Sequence, residues 1–324
     1  MDALSDVLRV VGLTGGVHMD AEFTEPWFIA GRIDPEHCSL FMPTPSHVVG
    51  FHYVIEGGFD MILRDRAGED MKARVNAGDI VMMPQNDAHV FGSAPNLTPV
   101  DARELVTPSA DGAGLNTIRH GGGGARTRII CGFLGGGPEM GLLLASLPSL
   151  MVIRVSEAPG GEWFTHAFNY AASNLAGGDP GAATVMSKMS ELLFVETVRR
   201  HLASLPVEQK GWLAGLRDPA IGRALTLMHA RLNHEWTAEA LAAEVGMSRS
   251  AFADRFTSLI GAPPMRYLTN WRMQVAAGKL RESRQSISQI AFDVGYDSEA
   301  AFTRAFRREM GQPPATWRKR MQAA

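Results

Sequence analysis

The chain has 324 residues, of which 45% are hydrophobic and 20% charged, and its formal net charge is −3. That length exceeds one typical domain, and the composition is that of an ordinary globular protein, which excludes disordered and fibrous classes. Two cysteines, Cys38 and Cys131, cannot build a disulfide framework and read as reduced thiols of a cytoplasmic protein. The opening residues MDALSDVLRVVGL carry acids and no basic segment ahead of an apolar core, so no secretory leader is expected. The longest apolar run, Met140 to Val155, is broken by Pro148 and is too short to span a bilayer.

In chain order, residues from about Phe23 to about Phe91 read as short strands. VVGFHYVIEGGFDMILRD alternates on either side of Gly57-Gly58, a strand-turn-strand signal. ARVNAGDIVMMPQNDAHVFG repeats the design, with a turn at Asn76 to Asp79 and a break at Pro84. Residues Ala94 to Gly124, rich in Gly, Pro, Ser and Asp, predict one long loop. A further strand, Thr127 to Phe133, follows the four glycines, which read as a mobile hairpin end. AATVMSKMSELLFVETVRRHLASL predicts a helix with Val185, Met189, Leu192, Val195, Leu202 and Leu205 on one broad face. That face either packs on the strands or dimerises. Pro206 to Trp212 reads as a linker, and everything after about Gly215 is helical in pattern.

The charge is sorted along the chain. From Gly215 to Ala324 there are 16 Lys and Arg against 10 Asp and Glu, and before Gly215 there are 15 against 24. A basic last third on an acidic body points to different partners for the two parts.

That last third repeats itself. LAAEVGMSRSAFADRFTSLIGAPPMRYL and IAFDVGYDSEAAFTRAFRREMGQPPATWR share a turn glycine, Gly246 and Gly295, 49 residues apart. Phe252/Phe302, Phe256/Phe306, Gly261/Gly311 and Pro263-Pro264/Pro313-Pro314 each stand 50 apart. Each copy reads as a helix, a glycine turn, a second helix with Phe-x-x-x-Phe inward, and a Gly-x-Pro-Pro stop: a helix-turn-helix unit, twice. With Phe302 facing inward, Ala305, Phe306 and Glu309 fall near it, and Ala300, Thr303, Arg304, Arg307 and Arg308 fall opposite. Aromatics that anchor a helix while guanidinium groups face outward suit phosphates and guanine edges in a DNA major groove.

The second copy carries Gly295-Tyr296, Phe302-Thr303-Arg304-Ala305-Phe306, Arg307-Arg308, Gly311 to Pro314 and Trp317-Arg318. On these residues the chain from 215 to 324 resembles the DNA-binding domain of AraC/XylS-family transcription regulators. The resemblance implies that Arg249, Ser250, Ala253 and Asp254 of the first copy, and Glu299, Ala300, Thr303, Arg304, Arg307 and Arg308 of the second, face double-stranded promoter DNA. Asp254 departs from the family, which usually has a basic residue there. It either accepts from a cytosine amino group or pairs with a neighbouring arginine on the protein. Pro264 to Leu280 predicts a connecting helix of about 17 residues, roughly 25 Å. Such a spacer suits two reading helices in successive major-groove turns about 34 Å apart, with DNA bending making up the difference.

The strand-rich part resembles the cupin-type sensor domain of one branch of that family. Pro26-Trp27, FHYVIEGGF around His52, and AGDIVMMPQNDAHVF with Gly78, Pro84 and His89 carry the likeness. Asn86 stands where the cupin motif has its second glycine, and the first motif keeps only His52 and Glu56 of its metal-ligand set. An effector pocket of Trp27, His52, Glu56 and His89 is expected. His52 and His89 either ligate a divalent ion such as Zn²⁺, with Glu56, His37 or His47, or are hydrogen-bonded core histidines. Cys38 and Cys131 are either a redox pair or ordinary buried thiols.

The expected fold class is α+β: an N-terminal cupin-like β-barrel with trailing helices, then an all-α domain with two helix-turn-helix units at about 237–261 and 286–311. The expected boundaries are 1–205 for sensing and dimerisation, 206–214 for a linker and 215–324 for DNA binding. The expected function is a sequence-specific transcription regulator and not an enzyme, the alternative being a metal-dependent cupin enzyme fused to a DNA-binding domain. Its expected partners are promoter DNA, a small-molecule effector, a second copy of the chain in a homodimer and, for an activator, RNA polymerase; no membrane is expected.

Overall fold

The computed structural model describes residues 2–11, 13–34, 38, 45–65, 67–109, 115–137, 140–155, 161–206 and 211–323. The chain forms two compact units. One holds Leu13–Gly136 and Leu147–Val198, the other Met1–Gly12, Gly137–Ser146 and Arg199–Ala324. This division departs from the expected boundary, because the first helix of the chain and a short central segment go with the C-terminal unit. Among the described residues no helix is long and apolar enough to cross a membrane.

Helix α1 (Ala3–Val11) precedes strands β1 (Thr14–Thr24), β2 (Phe28–Gly31), β3 (His47–Glu56) and β4 (Gly58–Arg64). Strands β5 (Asp70–Asn76), β6 (Asp79–Met83), β7 (His89–Gly92) and β8 (Val100–Asp101) follow. Next come α2 (Ala102–Leu105), β9 (Asn116–Gly121), β10 (Arg126–Gly136), α3 (Gly141–Ala145) and β11 (Met151–Arg154). Two longer helices, α4 (Gly161–Ala176) and α5 (Ala182–Ser204), close this part of the chain.

The strands form a six-stranded sheet, β11-β6-β3-β10-β1-β9, and a five-stranded sheet, β5-β4-β7-β2-β8. Phe23, Trp27, Val54, Phe59, Phe91, Ile118 and Ile129 are sealed in one core cluster with residues of both sheets. Strand β3 is buried over most of its length. Its His52 and Val54 point one way, while Tyr53 points the other and packs against Phe168 of α4, ring centroids 4.7 Å apart. A strand covered on both faces loses the polar alternation of a half-exposed one, which is why VVGFHYVI reads so apolar.

Three expectations are corrected here. Residues 94–124 are not one loop, since they hold β8, α2 and β9. Strand β9 is the sheet's edge, pairs parallel to β1 from Met19↔Asn116 to Thr24↔Gly121, and buries Ile118. Its Asn, Thr, Arg and His residues hide the strand from a hydrophobicity reading. Helix α5 packs through Met186, Ser190, Leu193, Phe194, Thr197 and Val198, whereas Val185 and Leu192 of the expected face are 49% and 42% exposed. Ser190 and Thr197 enter the packed face by donating to their own helix, at Met186 O (2.8 Å) and Leu193 O (2.7 Å). The linker ends before Trp212, which is buried at the start of a helix and donates its Nε1–H to Tyr267 Oη at 2.9 Å; residues 207–210 lie outside the described residues.

The C-terminal unit is helical: α6 (Trp212–Arg217), α7 (Pro219–Ala230), α8 (Ala238–Glu244), α9 (Arg249–Ile260) and α10 (Pro264–Glu282). It continues with α11 (Ile287–Asp293), α12 (Glu299–Met310) and α13 (Pro314–Ala323). Helix α1 packs on α7 and α10 through Ala3, Leu4 and Val7. Asp218 caps α7 by accepting from Ala220 N (3.1 Å) and Ile221 N (3.0 Å). Helix α10 runs two residues past its expected end, and its 19 residues make it about 28 Å long.

Candidate functional site

The two helix-turn-helix units are built alike. Helices α9 and α12 are N-capped by Ser248 and Ser298, whose hydroxyls accept from Ala251 N and Ala301 N at 3.3 and 3.2 Å. Both end at a glycine in the left-handed region, Gly261 at φ +79° and Gly311 at φ +76°. Phe252 and Phe256 anchor α9, and Phe302, Ala305 and Phe306 anchor α12, all buried.

Anchored this way, α9 exposes Arg249, Ser250 and Asp254 with Ala253 partly covered, and α12 exposes Glu299, Ala300, Arg304, Arg307 and Arg308 with Thr303 partly covered. These side chains form an outward face on each helix, as the helical phase of the sequence requires. Arg308 is held by Glu309 (2.8 Å) and Arg255 by Asp218 (2.9 and 2.5 Å), so neither guanidinium projects freely. Asp254 makes no ion pair among the described residues, which decides against its pairing with an arginine of the protein.

The second feature is a cavity of about 410 Å³ inside the strand unit. Its walls include Phe23, Ile29, Met83, Phe91, Ile118 and Phe133, and its polar lining includes His52, His89 and Cys131. Register places these three together: His52 on β3 is opposite Cys131 on β10, and His89 lies on β7 of the other sheet. His52 Nδ1 is 3.1 Å from Cys131 Sγ, His52 Nε2 is 3.1 Å from His89 Nε2, and His89 Nδ1 is 3.1 Å from Asp87 O. The carbonyl can only accept, so His89 carries its proton on Nδ1 and accepts at Nε2. His52 then donates from Nε2 and accepts at Nδ1 from the Cys131 thiol. The result is a one-way chain of hydrogen bonds between neutral groups. Burial holds the His89 pKa below its ordinary value, against the pull of the Asp87 carbonyl, and pushes the Cys131 thiol up to about 12.

The other expected pocket residues lie elsewhere. Trp27 is buried but stacks on Phe23, ring centroids 4.2 Å apart, in the core beside the cavity rather than lining it. Glu56 sits at the exposed end of β3, 3.5 Å from Arg126, away from the histidine pair. His37 lies outside the described residues. No third His, Cys, Asp or Glu joins His52 and His89 to form a metal-ligating group among the described residues, and Cys131 occupies the far nitrogen of His52. Cys38 is buried, free and also lines the cavity; burial and Asp34 raise its pKa to about 11, so both thiols are protonated at neutral pH.

The sequence reading missed two features of this region. Asn86, where the cupin motif has glycine, adopts φ +53° and binds both backbone groups of Ile33, accepting from N at 3.1 Å and donating to O at 2.6 Å. Asparagine is among the few non-glycine residues that tolerate that region. The contact between Cys131 and His52 depends on the register between two strands that are distant in the sequence.

A strand-built unit on the same chain as paired helix-turn-helix units defines a DNA-binding regulator with a separate N-terminal module. The comparisons agree: a family described as Cupin matches residues 2–203, and one described as Helix-turn-helix domain matches 241–320. A putative AraC-like transcription regulator of Streptomyces lividans is 31% identical over 98% of this chain and 98% of its own. The HTH-type transcriptional regulator AlkR of Acinetobacter baylyi is 31% identical over 98% of this chain and 99% of its own. The RCS-specific HTH-type transcriptional activator RclR of Escherichia coli is 27% identical over 99% and 98%. The chain belongs to the AraC-like transcription regulators with a cupin domain, and is a DNA-binding transcription regulator.

Proposed function

We propose that the regulator is effector-responsive and that its effector is a neutral, mainly apolar small molecule held in the barrel cavity. The observation that carries this reading is the 410 Å³ cavity itself, apolar on most of its wall and closed on one side by the His52–His89–Cys131 chain. Because that chain already uses both nitrogens of each histidine, it presents a ligand with a neutral wall and no charged donor. An outer groove of about 720 Å³ is a weaker candidate for such a molecule, since Arg32, Asp34 and the Arg64–Asp70 and Arg103–Asp101 pairs make its lining largely charged. In this reading the barrel is a sensor and not an enzyme, and the histidines hold each other rather than a metal.

Promoter DNA meets the outward faces of α9 and α12 named above, with Arg304 and Arg307 as the free cations of α12. Homodimerisation uses exposed apolar side chains of α4 and α5, where Trp163 and Tyr170 are 65% and 69% exposed and Val185 and Leu192 49% and 42%. Exposed large apolar side chains mark association surfaces. Placement of the DNA-binding units on the operator is then what the effector biases.

The cavity reading is tested by titrating the full chain with the neutral apolar fluorophore N-phenyl-1-naphthylamine. Wild type should bind it with enhanced emission, and Ile118→Trp, which fills the cavity from a buried wall position, should lose that binding while its operator affinity stays unchanged. Equal emission from both proteins contradicts the reading.

A further inference from the structure

We propose that Asp254 is a base-reading residue that accepts a hydrogen bond from the amino group of a cytosine, so that the two reading helices recognise unlike half-sites. The proposal rests on the reading that α9 and α12 both lie in the major groove.

The two helices share caps, anchors and length, so residues 50 apart occupy equivalent surface positions. At two of those positions the charge is inverted: Arg249 answers to Glu299, and Asp254 answers to Arg304. Thr257 and Ser258 stand where α12 has Arg307 and Arg308. The outward face of α9 is therefore a differently charged surface on the same scaffold, not a weakened copy.

Asp254 is also left available. Its neighbour Arg255 is turned away and fixed by two hydrogen bonds to Asp218. Asp218 is itself held by capping the first turn of α7. Asp254 is exposed and has no ion pair among the described residues.

An unneutralised carboxylate on a surface that approaches DNA is repelled by phosphates. A donor on a base edge offsets that repulsion and adds sequence preference. The major groove offers two amino groups, adenine N6 and cytosine N4. Adenine places the N7 lone pair beside its amino group, where a carboxylate meets a second acceptor. Thymine O4 lies on adenine's other side, whereas the cytosine amino group has an acceptor on one side only, the O6 of its paired guanine, and C5–H on the other, so the carboxylate selects cytosine. Where Arg304 suits the O6 and N7 acceptors of a guanine, Asp254 suits the opposite pattern. The operator is then not a direct repeat, and the protein sits on it in one orientation.

The test is selection of binding sites from random duplex DNA with full-length wild type, Asp254→Asn and Arg304→Ala. Asp254 is exposed and asparagine is nearly isosteric, so the fold is kept. Wild type should enrich a site in which one half holds a cytosine column, preferred over other bases by roughly five- to tenfold. Asp254→Asn should change that one column from cytosine to adenine, which an amide pairs through N6 and N7, and leave the other half-site unaltered. Arg304→Ala should flatten a guanine column in the other half only. Identical preferences for wild type and Asp254→Asn would overturn the role of Asp254 while leaving the placement of the helices standing. Enrichment of no sequence by wild type would overturn both.

Discussion

Asn86 shows how much a single residue can hold in this barrel. Its backbone takes a conformation that suits glycine, and its amide pins both polar groups of Ile33. Asn86→Gly should keep the backbone and lose the pins, costing about 1–2 kcal/mol. Asn86→Ala loses both and should cost about 2–4 kcal/mol. Chemical denaturation of the two variants checks that order, and an alanine variant as stable as the glycine one would contradict it. On the DNA side, Arg304→Ala should weaken specific operator binding by about 1–3 kcal/mol, measured by fluorescence anisotropy against a scrambled duplex. At this scale the arginines were legible because helical phase alone separates them from Phe302 and Phe306. The pocket was only half legible. His52 and His89 stand out as polar residues in apolar strands, but Trp27 and Glu56 only neighbour the motifs in sequence, and neither lines the cavity. Ile118 and Cys131, which do, come from strands whose pairing the local sequence does not encode.

Among the elements, the helix-turn-helix pairs follow from local signals. Serine caps, left-handed glycines and a Phe-x-x-x-Phe spacing lie within one turn or two of each other, and the repeat states them twice. Helix α5 follows the opposite course, since apolar residues lie all round it and its packed face includes Ser190 and Thr197. The stripe left outside yields a prediction: Val185→Lys with Leu192→Lys should shift the full chain toward monomer in sedimentation equilibrium without lowering its melting temperature. A fall in melting temperature at unchanged mass would instead make the stripe part of the fold. Helix α7 carries a second prediction. His229 accepts from Tyr267 Oη at 2.9 Å and stacks on Trp271, and burial lowers its pKa from 6.5 to about 3 against the Ala3 backbone. Between those values the unfolded chain takes up a proton that the folded one refuses, so the stability this group contributes is present above about pH 6.5 and is lost as pH falls toward 3. His229→Gln should therefore show a smaller drop in melting temperature between pH 7 and pH 4.5 than wild type does; equal drops would remove His229 from the account.

The whole molecule sets a basic C-terminal third on an acidic remainder, 16 against 10 and 15 against 24 charged residues, and the structure gives those parts different surfaces to present. Phosphate neutralisation by the free cations of α9 and α12 should make operator affinity fall steeply with salt. The central claim is that two helix-turn-helix units of one chain read DNA together. Hydroxyl-radical footprinting of the full-length protein on its selected site tests it most directly. Two protected segments on one face of the duplex, centred about one helical turn apart, with Arg304→Ala releasing one segment and leaving the other, is the predicted result. A single protected segment, or the loss of both segments together in Arg304→Ala, would contradict it.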